Sequence, residues 1–404
     1  MKYIVVLGDG MADFPNDVFG NKTPLDVADK KEIDRLVSVS EVGLCKTVPD
    51  GMKAGSDIAN LSVLGYEPQK CYTGRSPLEA ASIGINLSDT DVTARANLVT
   101  LSDEENYEDK TMIDYSAGEI TTEEAKVLID YLAKELNNEK YELCAGVSYR
   151  HCFVTHNGKI AGDLTPPHDI TKKPVKGHLP QSETGKVYLE IMKKSSELLK
   201  NHPINLKRIS EGKNPATSLW FWGEGTKPAL KPFKELTGLD GAMISAVDLL
   251  KGIGKLAGMK VIEVEGATGN YDTNFIGKAE ACLSALKNGC DYVYIHMEAP
   301  DECGHHADAK HKVYSIEQIS EVVVRRIVDE LTKQNQEFSM LIMPDHPTPL
   351  ATMTHSAEPV PFMIYRSGKD IGNGANKYCE SQAKKTGLTI NSGNELMKRF
   401  LQLS

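Results

Sequence analysis

The eight cysteines of this 404-residue chain form no Cys-x-x-Cys pair; they are scattered at positions 45, 71, 144, 152, 282, 290, 303 and 379. That spacing excludes the common zinc and dithiol motifs, and the residues read as small buried hydrophobes. Met1-Lys2-Tyr3 runs straight into Ile4-Val5-Val6-Leu7, so no secretory leader is expected, and the apolar runs are far too short for a membrane span. Unpaired thiols without an export signal predict a reducing cytoplasm. No long run of one charge sign occurs, and the formal net charge is −10. Sequence-independent nucleic-acid binding, which needs a positive face to replace phosphate counterions, is therefore not expected. Low-complexity segments and internal repeats are also missing.

What is present is ordinary globular composition, 40% hydrophobic and 25% charged, in a chain long enough for two or three domains. Tyr3 to Leu7 is a β-branched run that stops at Gly8-Asp9-Gly10, the pattern of a buried parallel strand with a tight turn at its end. The format recurs twice. Tyr292 to Met297 is followed by Glu298-Ala299-Pro300-Asp301, and Phe338 to Met343 by Pro344-Asp345-His346. Between those strands, Ile316, Ile319, Val323, Ile327 and Leu331 predict one face of a helix over 315–334. Strand–helix–strand is the rhythm of a parallel sheet, whose ligands collect at the carboxyl ends of the strands. From residue 66 to 212 the character changes. Thr121 to Leu136 predicts a helix capped by Thr121 or Thr122, with early Glu and then Val127, Leu128, Tyr131 and Leu132, and 188–201 a second helix. The expected division is an α/β domain of residues 1–65 and 213–404, with a smaller α+β domain, 66–212, inserted into it.

The chemistry-bearing residues fall in three separated pieces. Asp301 and His305 stand four apart, Asp345-His346 follows a strand with His355 nine residues on, and Asp9 ends the first strand. Three Asp and three His suffice to hold two divalent ions, and such oxygen and imidazole donors suit Mn²⁺, Zn²⁺, Co²⁺ or Mg²⁺. Each piece alone is more often a turn or a helix-capping pair. Three pieces at equivalent positions in the topology shift the balance toward a metal centre. His306 and His311 are read as solvated.

Gly55-Ser56-Asp57-Ile58-Ala59-Asn60-Leu61 places a Ser after Gly at the start of a helix-like run. A helix N-terminus presents N–H groups to an anion, and a Ser there can bind a metal, lose its proton and attack phosphorus. A plain N-cap is the commoner use of such a Ser. The ligand set is what raises the nucleophile reading.

Several segments together resemble the archaeal-type cofactor-independent phosphoglycerate mutases of the alkaline phosphatase superfamily. They are Leu7-Gly8-Asp9-Gly10-Met11-Ala12-Asp13, the Gly55 to Leu61 segment, Tyr72-Thr73-Gly74-Arg75-Ser76-Pro77-Leu78-Glu79-Ala80, and Asn214-Pro215-Ala216 through Trp220-Phe221-Trp222-Gly223. Gly269-Asn270-Tyr271-Asp272-Thr273-Asn274, Glu298 to Asp301 and Pro344 to His346 complete the set, in order over nearly the whole chain. The resemblance implies an alkaline-phosphatase-like α/β core, its mostly parallel sheet between helices, with an inserted substrate-binding domain. It also implies that Asp9, Ser56, Asp345 and His346 hold one metal and Asp301, His305 and His355 the other, with Mn²⁺ first among the candidates. Ser56 would carry the phosphoryl group between the 3- and 2-positions of phosphoglycerate, without 2,3-bisphosphoglycerate. Closure of the inserted domain would keep out water.

For the anionic, phosphorylated substrate the candidate contacts are Arg75, Arg95, Arg150, His151, His168 and Lys227, since Arg forks suit carboxylate and phosphate geometry. Metal and nucleophile specify phosphoryl transfer more firmly than they specify the substrate. A phosphohydrolase or a homoserine-kinase-like phosphotransferase on the same core are the alternatives. No Gly-x-x-x-x-Gly-Lys loop is present for a nucleotide, and Gly252-x-Gly254 is too short for a dinucleotide fingerprint. No nucleic-acid or membrane partner is expected, and a monomer is the default.

Overall fold

The three apolar runs that end in Asp all form strands, and all lie in one sheet. The structure, a computed structural model, describes residues 1–403. The chain divides into two compact units, Met1–Tyr72 with the segment from Ala229 onward, and Thr73–Pro228. The expected boundaries at 65/66 and 212/213 fall earlier than these. The helix Pro68–Cys71 packs on the helix Ser56–Val63 of the first unit. The strand Ser218–Thr226 pairs along Val92–Leu101 and so belongs with the second.

The first unit is built on an eight-stranded sheet. Its order is Thr389–Ile390, Glu41–Cys45, Val360–Arg366, Phe338–Met343, Lys2–Gly8, Tyr292–Met297, Gly241–Ile244 and Lys260–Ile262. All pairings are parallel except those that Val360–Arg366 makes with its two neighbours. The fold is thus α/β with a mostly parallel sheet. Ile4, Val5, Val6 and Leu7 have no exposed surface, as expected of a parallel strand covered on both faces. Lys2–Gly8 lies between Tyr292–Met297 and Phe338–Met343, with Leu7 opposite His296 on one side and Met343 on the other. The three Asp-terminated strands are therefore immediate neighbours.

The helix expected over 315–334 is longer and not uniform. It runs as Ala309–Gln318, a π-helical stretch Ile319–Val324, and Arg325–Lys333. Ile316, Ile319, Val323, Ile327 and Leu331 are all buried. The wide stretch also buries Ser320, whose Oγ accepts the Ile33 amide at 3.2 Å.

The second unit carries a five-stranded sheet with antiparallel pairing throughout. Met112–Asp114, Val92–Leu101, Arg150–Thr155 and Tyr141–Val147 follow in that order, and Ser218–Thr226 also pairs with Val92–Leu101. Thr121 caps the helix Thr122–Leu136 by accepting the Glu124 amide. Val127 is exposed. The buried stripe is Ala125, Leu128, Ile129, Leu132 and Leu136, and Val127 falls off that arc. The second expected helix is Glu183–Leu199. All eight cysteines are free, and only Cys144 is not buried. Among the described residues, no helix is long and apolar enough to cross a membrane.

Candidate active site

Asp9 follows directly on the buried strand Lys2–Gly8 and is 1% exposed. The chain then turns at Gly10 with φ +60. A Cβ at Gly10 would lie 2.5 Å from Thr348 Oγ1 and 2.6 Å from Asp301 Oδ1, so both the backbone angle and the close approach require glycine. Asp345 and His346, past the end of Phe338–Met343, have no exposed surface. Asp345 Oδ1 accepts the Gly10 amide at 3.2 Å and the His346 amide at 2.9 Å. These bonds lock the two loops together at the carboxyl edge of the sheet.

Asp301 sits in the short helix Ala299–His305, one turn before His305, so both side chains face the same way. His305 Nε2 is 3.2 Å from Asp301 Oδ2, and its Nδ1 is 3.0 Å from the Met353 carbonyl. His355 Nε2 lies 3.4 Å from Asp301 Oδ1 and 2.9 Å from His305 Nε2. The rings of His346 and His355 are 4.0 Å apart between centroids. Two groups result whose donor atoms lie within 4.8 Å of one another: Asp9, Asp345 and His346, and Asp301, His346 and His355. His346 belongs to both.

These donors fit divalent cations, and the fit can be read from the polar atoms. Among the described residues, the buried Oδ1 of Asp9 has no hydrogen-bond partner. Burial, then the charges of Asp345 and Asp301, hold the Asp9 carboxyl well above the ordinary range. For Asp301, burial pulls upward but is outweighed by hydrogen bonds from His305 and His355, which hold it well below the usual value. His305 is pushed up to about 9, chiefly by its bond to Asp301 against the opposing effect of burial. Burial lowers His346. Three carboxylates gathered in a dry site, one with an orphaned oxygen, are costly unless a cation balances them.

Ser56 is the first residue of the helix Ser56–Val63, and Gly55 occupies the N-cap without any side-chain capping bond. The serine is thus not spent as a cap. Its Oγ lies 3.1 Å from His346 Nε2, at the ligand cluster. The helix is held there by Asn60, whose Nδ2 donates to the Ser56 carbonyl and to Asp345 Oδ2, both at 2.8 Å.

In the second unit, Glu79 gathers the arginines. Arg75 Nε is 2.8 Å from its Oε1 and Arg95 Nε 2.9 Å from its Oε2. Burial favours the neutral carboxyl, but the charges of Arg95 and Arg75 overturn this and lower Glu79. Burial brings Arg95 down to about 10. Its guanidinium stacks 4.1 Å over Trp222, the residue directly across the strand pair, and His168 meets the same indole edge-on at 5.0 Å. Arg150 lies over Tyr149 and donates to its hydroxyl at 3.1 Å. His151 accepts the Gly146 amide at Nδ1, while its buried Nε2 is without a partner among the described residues. Lys227 stands apart from this cluster, paired with exposed Asp89 at 3.5 Å. His311, expected to be solvated, is half-buried, paired with Asp308 at 2.6 Å and stacked on Tyr271.

Several residues in contact with the ligand set are not marked out by the sequence. Tyr294 donates to Asn60 Oδ1 at 2.6 Å, His296 lies 2.8 Å from Asp9 Oδ2, and Thr348 Oγ1 contacts Asp301. His296 carried a signal, being the one ionisable residue common at neutral pH inside an otherwise buried strand, Tyr292–Met297. Thr348 carried none.

Comparison with known proteins follows the geometry closely. The family described as 2,3-bisphosphoglycerate-independent phosphoglycerate mutase matches residues 38–205. The chain is 46% identical over 398 residues to the protein of that name from Methanosarcina barkeri, covering 98% of each chain. It is 46% identical to a Geobacter sulfurreducens protein named as a probable 2,3-bisphosphoglycerate-independent phosphoglycerate mutase, over 99% of this chain and all of that one. A solved protein of Pyrococcus horikoshii superposes with a TM-score of 0.82 at 29% identity, over 100% of this chain and 98% of that one. The cofactor-independent phosphoglycerate mutase of Thermoplasma acidophilum shares the fold, with a TM-score of 0.65 at 23% identity over the whole of both chains. A mostly parallel sheet with carboxylates, imidazoles and a serine gathered at its carboxyl edge defines an α/β enzyme with a centre suited to divalent metal ions. The chain belongs to the 2,3-bisphosphoglycerate-independent phosphoglycerate mutase family, a family of isomerases.

Proposed function

We propose that the protein interconverts 3-phosphoglycerate and 2-phosphoglycerate through phosphoryl transfer to and from Ser56. The observation that carries this is the placement of Ser56 Oγ at the Asp/His cluster by a helix whose N-cap is already filled by Gly55. Asp9, Ser56, Asp345 and His346 would hold one divalent ion and Asp301, His305 and His355 the other, with Mn²⁺ suited to this thiolate-free set. Bound there, the ions make the serine hydroxyl more acidic and neutralise phosphoryl charge.

Ser56 Oγ forms a bond to phosphorus as the bond from phosphorus to the substrate's 3-oxygen breaks. The serine proton ends on the 3-hydroxyl, leaving glycerate. The 2-hydroxyl then takes the group back and its proton returns to Ser56, so no external phosphate donor is consumed. Asn60 keeps the helix start in register with Asp345. The arginines around Glu79, with Arg150, His151 and His168, are assigned to the substrate's anionic groups. Eight free thiols suit a reducing compartment.

The test is turnover of 3-phosphoglycerate with Mn²⁺ and without 2,3-bisphosphoglycerate, following 2-phosphoglycerate and free phosphate together. The expected outcome is 2-phosphoglycerate formation that chelator abolishes, and loss on the order of 10⁴-fold or more in Ser56→Ala. Phosphate release without the isomer would replace the mutase reading with a phosphohydrolase.

A further inference from the structure

His296 ends the central run of a strand buried on both faces and has no exposed surface. A buried imidazole needs partners for both nitrogens, and here both have one. Nε2 lies 2.8 Å from Asp9 Oδ2, and Nδ1 lies 3.2 Å from Ser245 Oγ. The backbone of the histidine is held as well, because Lys278 Nζ donates to its carbonyl at 3.0 Å.

The direction of these bonds follows from which groups can donate. Once a cation holds Asp9 as a carboxylate that side chain only accepts, so the nitrogen facing it carries the proton. In the neutral ring the other nitrogen then accepts, and the hydroxyl of Ser245 is its donor. Ser245 Oγ itself accepts the Val247 amide at 3.0 Å, which leaves its O–H free to donate to the ring. One polarity results: Val247 N–H to Ser245 Oγ, Ser245 O–H to His296 Nδ1, His296 Nε2–H to Asp9 Oδ2.

The consequence appears on the carboxylate. Oδ2 is committed to the imidazole, while Oδ1 is buried, without a hydrogen-bond partner among the described residues, and 3.6 Å from His346 Nε2. The two oxygens of one side chain are thereby made different. We propose that His296, oriented by Ser245, is a positioning residue that holds the Asp9 carboxylate so that Oδ1 is its metal-ligating oxygen. This rests on the reading of the Asp/His cluster as a metal centre. A histidine bonded to a ligand's second oxygen sets ring and carboxylate orientation, and such outer partners contribute to affinity.

The test titrates Mn²⁺ into metal-free wild type, His296→Leu, His296→Gln and Ser245→Ala, following heat and the electron paramagnetic signal of free ion. Wild type is expected to take up two ions. His296→Leu should weaken one of them by about 10–100-fold and leave the other unchanged. His296→Gln, whose amide N–H reaches the Nε2 position, should recover most of the loss, and Ser245→Ala should lie between. Should the leucine variant fail to fold, the glutamine and alanine variants carry the comparison. Nitrogen-15 spectra of the wild type loaded with diamagnetic Zn²⁺ should show His296 protonated on Nε2. Protonation on Nδ1 would overturn the inference whatever the metal uptake. Two-site binding by wild type with unchanged affinities in all three variants would overturn it while leaving the metal centre standing. No Mn²⁺ uptake by wild type would bring down the metal centre and this inference with it.

Discussion

The two polar clusters of this protein handle charge in opposite ways. In the first unit, Asp9, Asp301 and Asp345 converge at the edge of a parallel sheet, and among the described residues Asp9 Oδ1 has no hydrogen-bond partner. In the second, Arg75 and Arg95 share one carboxylate, Glu79, and Arg95 and Arg150 lie on aromatic faces. The arginine cluster sets more than one guanidinium against a single carboxylate and so carries excess positive charge, suited to an anion. The carboxylate cluster carries excess negative charge in a dry site and calls for cations from outside. A preformed site can therefore be left short of the opposite charge, and the sign of the shortage identifies what it takes up.

The sharpest way to break this contrast is Asp9→Asn. Turnover should fall by on the order of 10³-fold or more, since one ligand charge is lost. The metal-free protein should meanwhile become more stable, by about 1–2 kcal/mol, because a carboxylate disfavoured by burial and by Asp345 and Asp301 has been neutralised. Calorimetry in chelator reads the sign, and a lower melting temperature would mean the carboxylates are not in conflict. Glu79→Gln probes the opposite cluster. It should destabilise by about 2–3 kcal/mol in denaturant unfolding, because Arg95 is left buried beside Arg75 without its counter-charge. An unchanged midpoint would show that stacking on Trp222 suffices.

The smallest effect is a pH dependence from His151, which burial pushes down to about 3. At pH above the ordinary value of about 6.5 the ring is neutral in both folded and unfolded chains, so nothing is gained or lost. Below that, the unfolded chain takes up a proton that the folded one refuses. Stability then falls by about 1.4 kcal/mol per pH unit until the folded ring protonates near 3. Wild type minus His151→Gln in unfolding free energy between pH 7 and 5 isolates the slope. A flat difference would mean that the folded ring takes up its proton as readily as the unfolded one.

Much of the first unit was legible along the chain because its signals are local. An apolar run of strand length that stops at Asp specifies both the strand and a carboxylate at its carboxyl end, as Asp9 and Asp345 show. The four-residue spacing of Asp301 and His305 needs only one helical turn to bring both to one face. The second unit was less legible. Its clusters depend on cross-strand pairs, such as Arg95 opposite Trp222, which no local pattern announces. The packing arc of the helix Thr122–Leu136 likewise passes through Leu128 and Leu132 and leaves apolar Val127 exposed. His311 found Tyr271 and Asp308 only once the loops were folded.

By itself, the sequence determined the donor chemistry: which side chains can ligate, which serine stands at a helix start, and that thiolates are not among them. Those are properties of residue type and of spacing within a turn or a strand. Only the tertiary structure decided that Lys2–Gly8 lies between Tyr292–Met297 and Phe338–Met343, that His346 serves both donor groups, and that His296 meets Asp9 across 287 residues of chain. Strand adjacency is chosen by the packing of the whole sheet against its helices, an energy summed over the core and visible in no single segment.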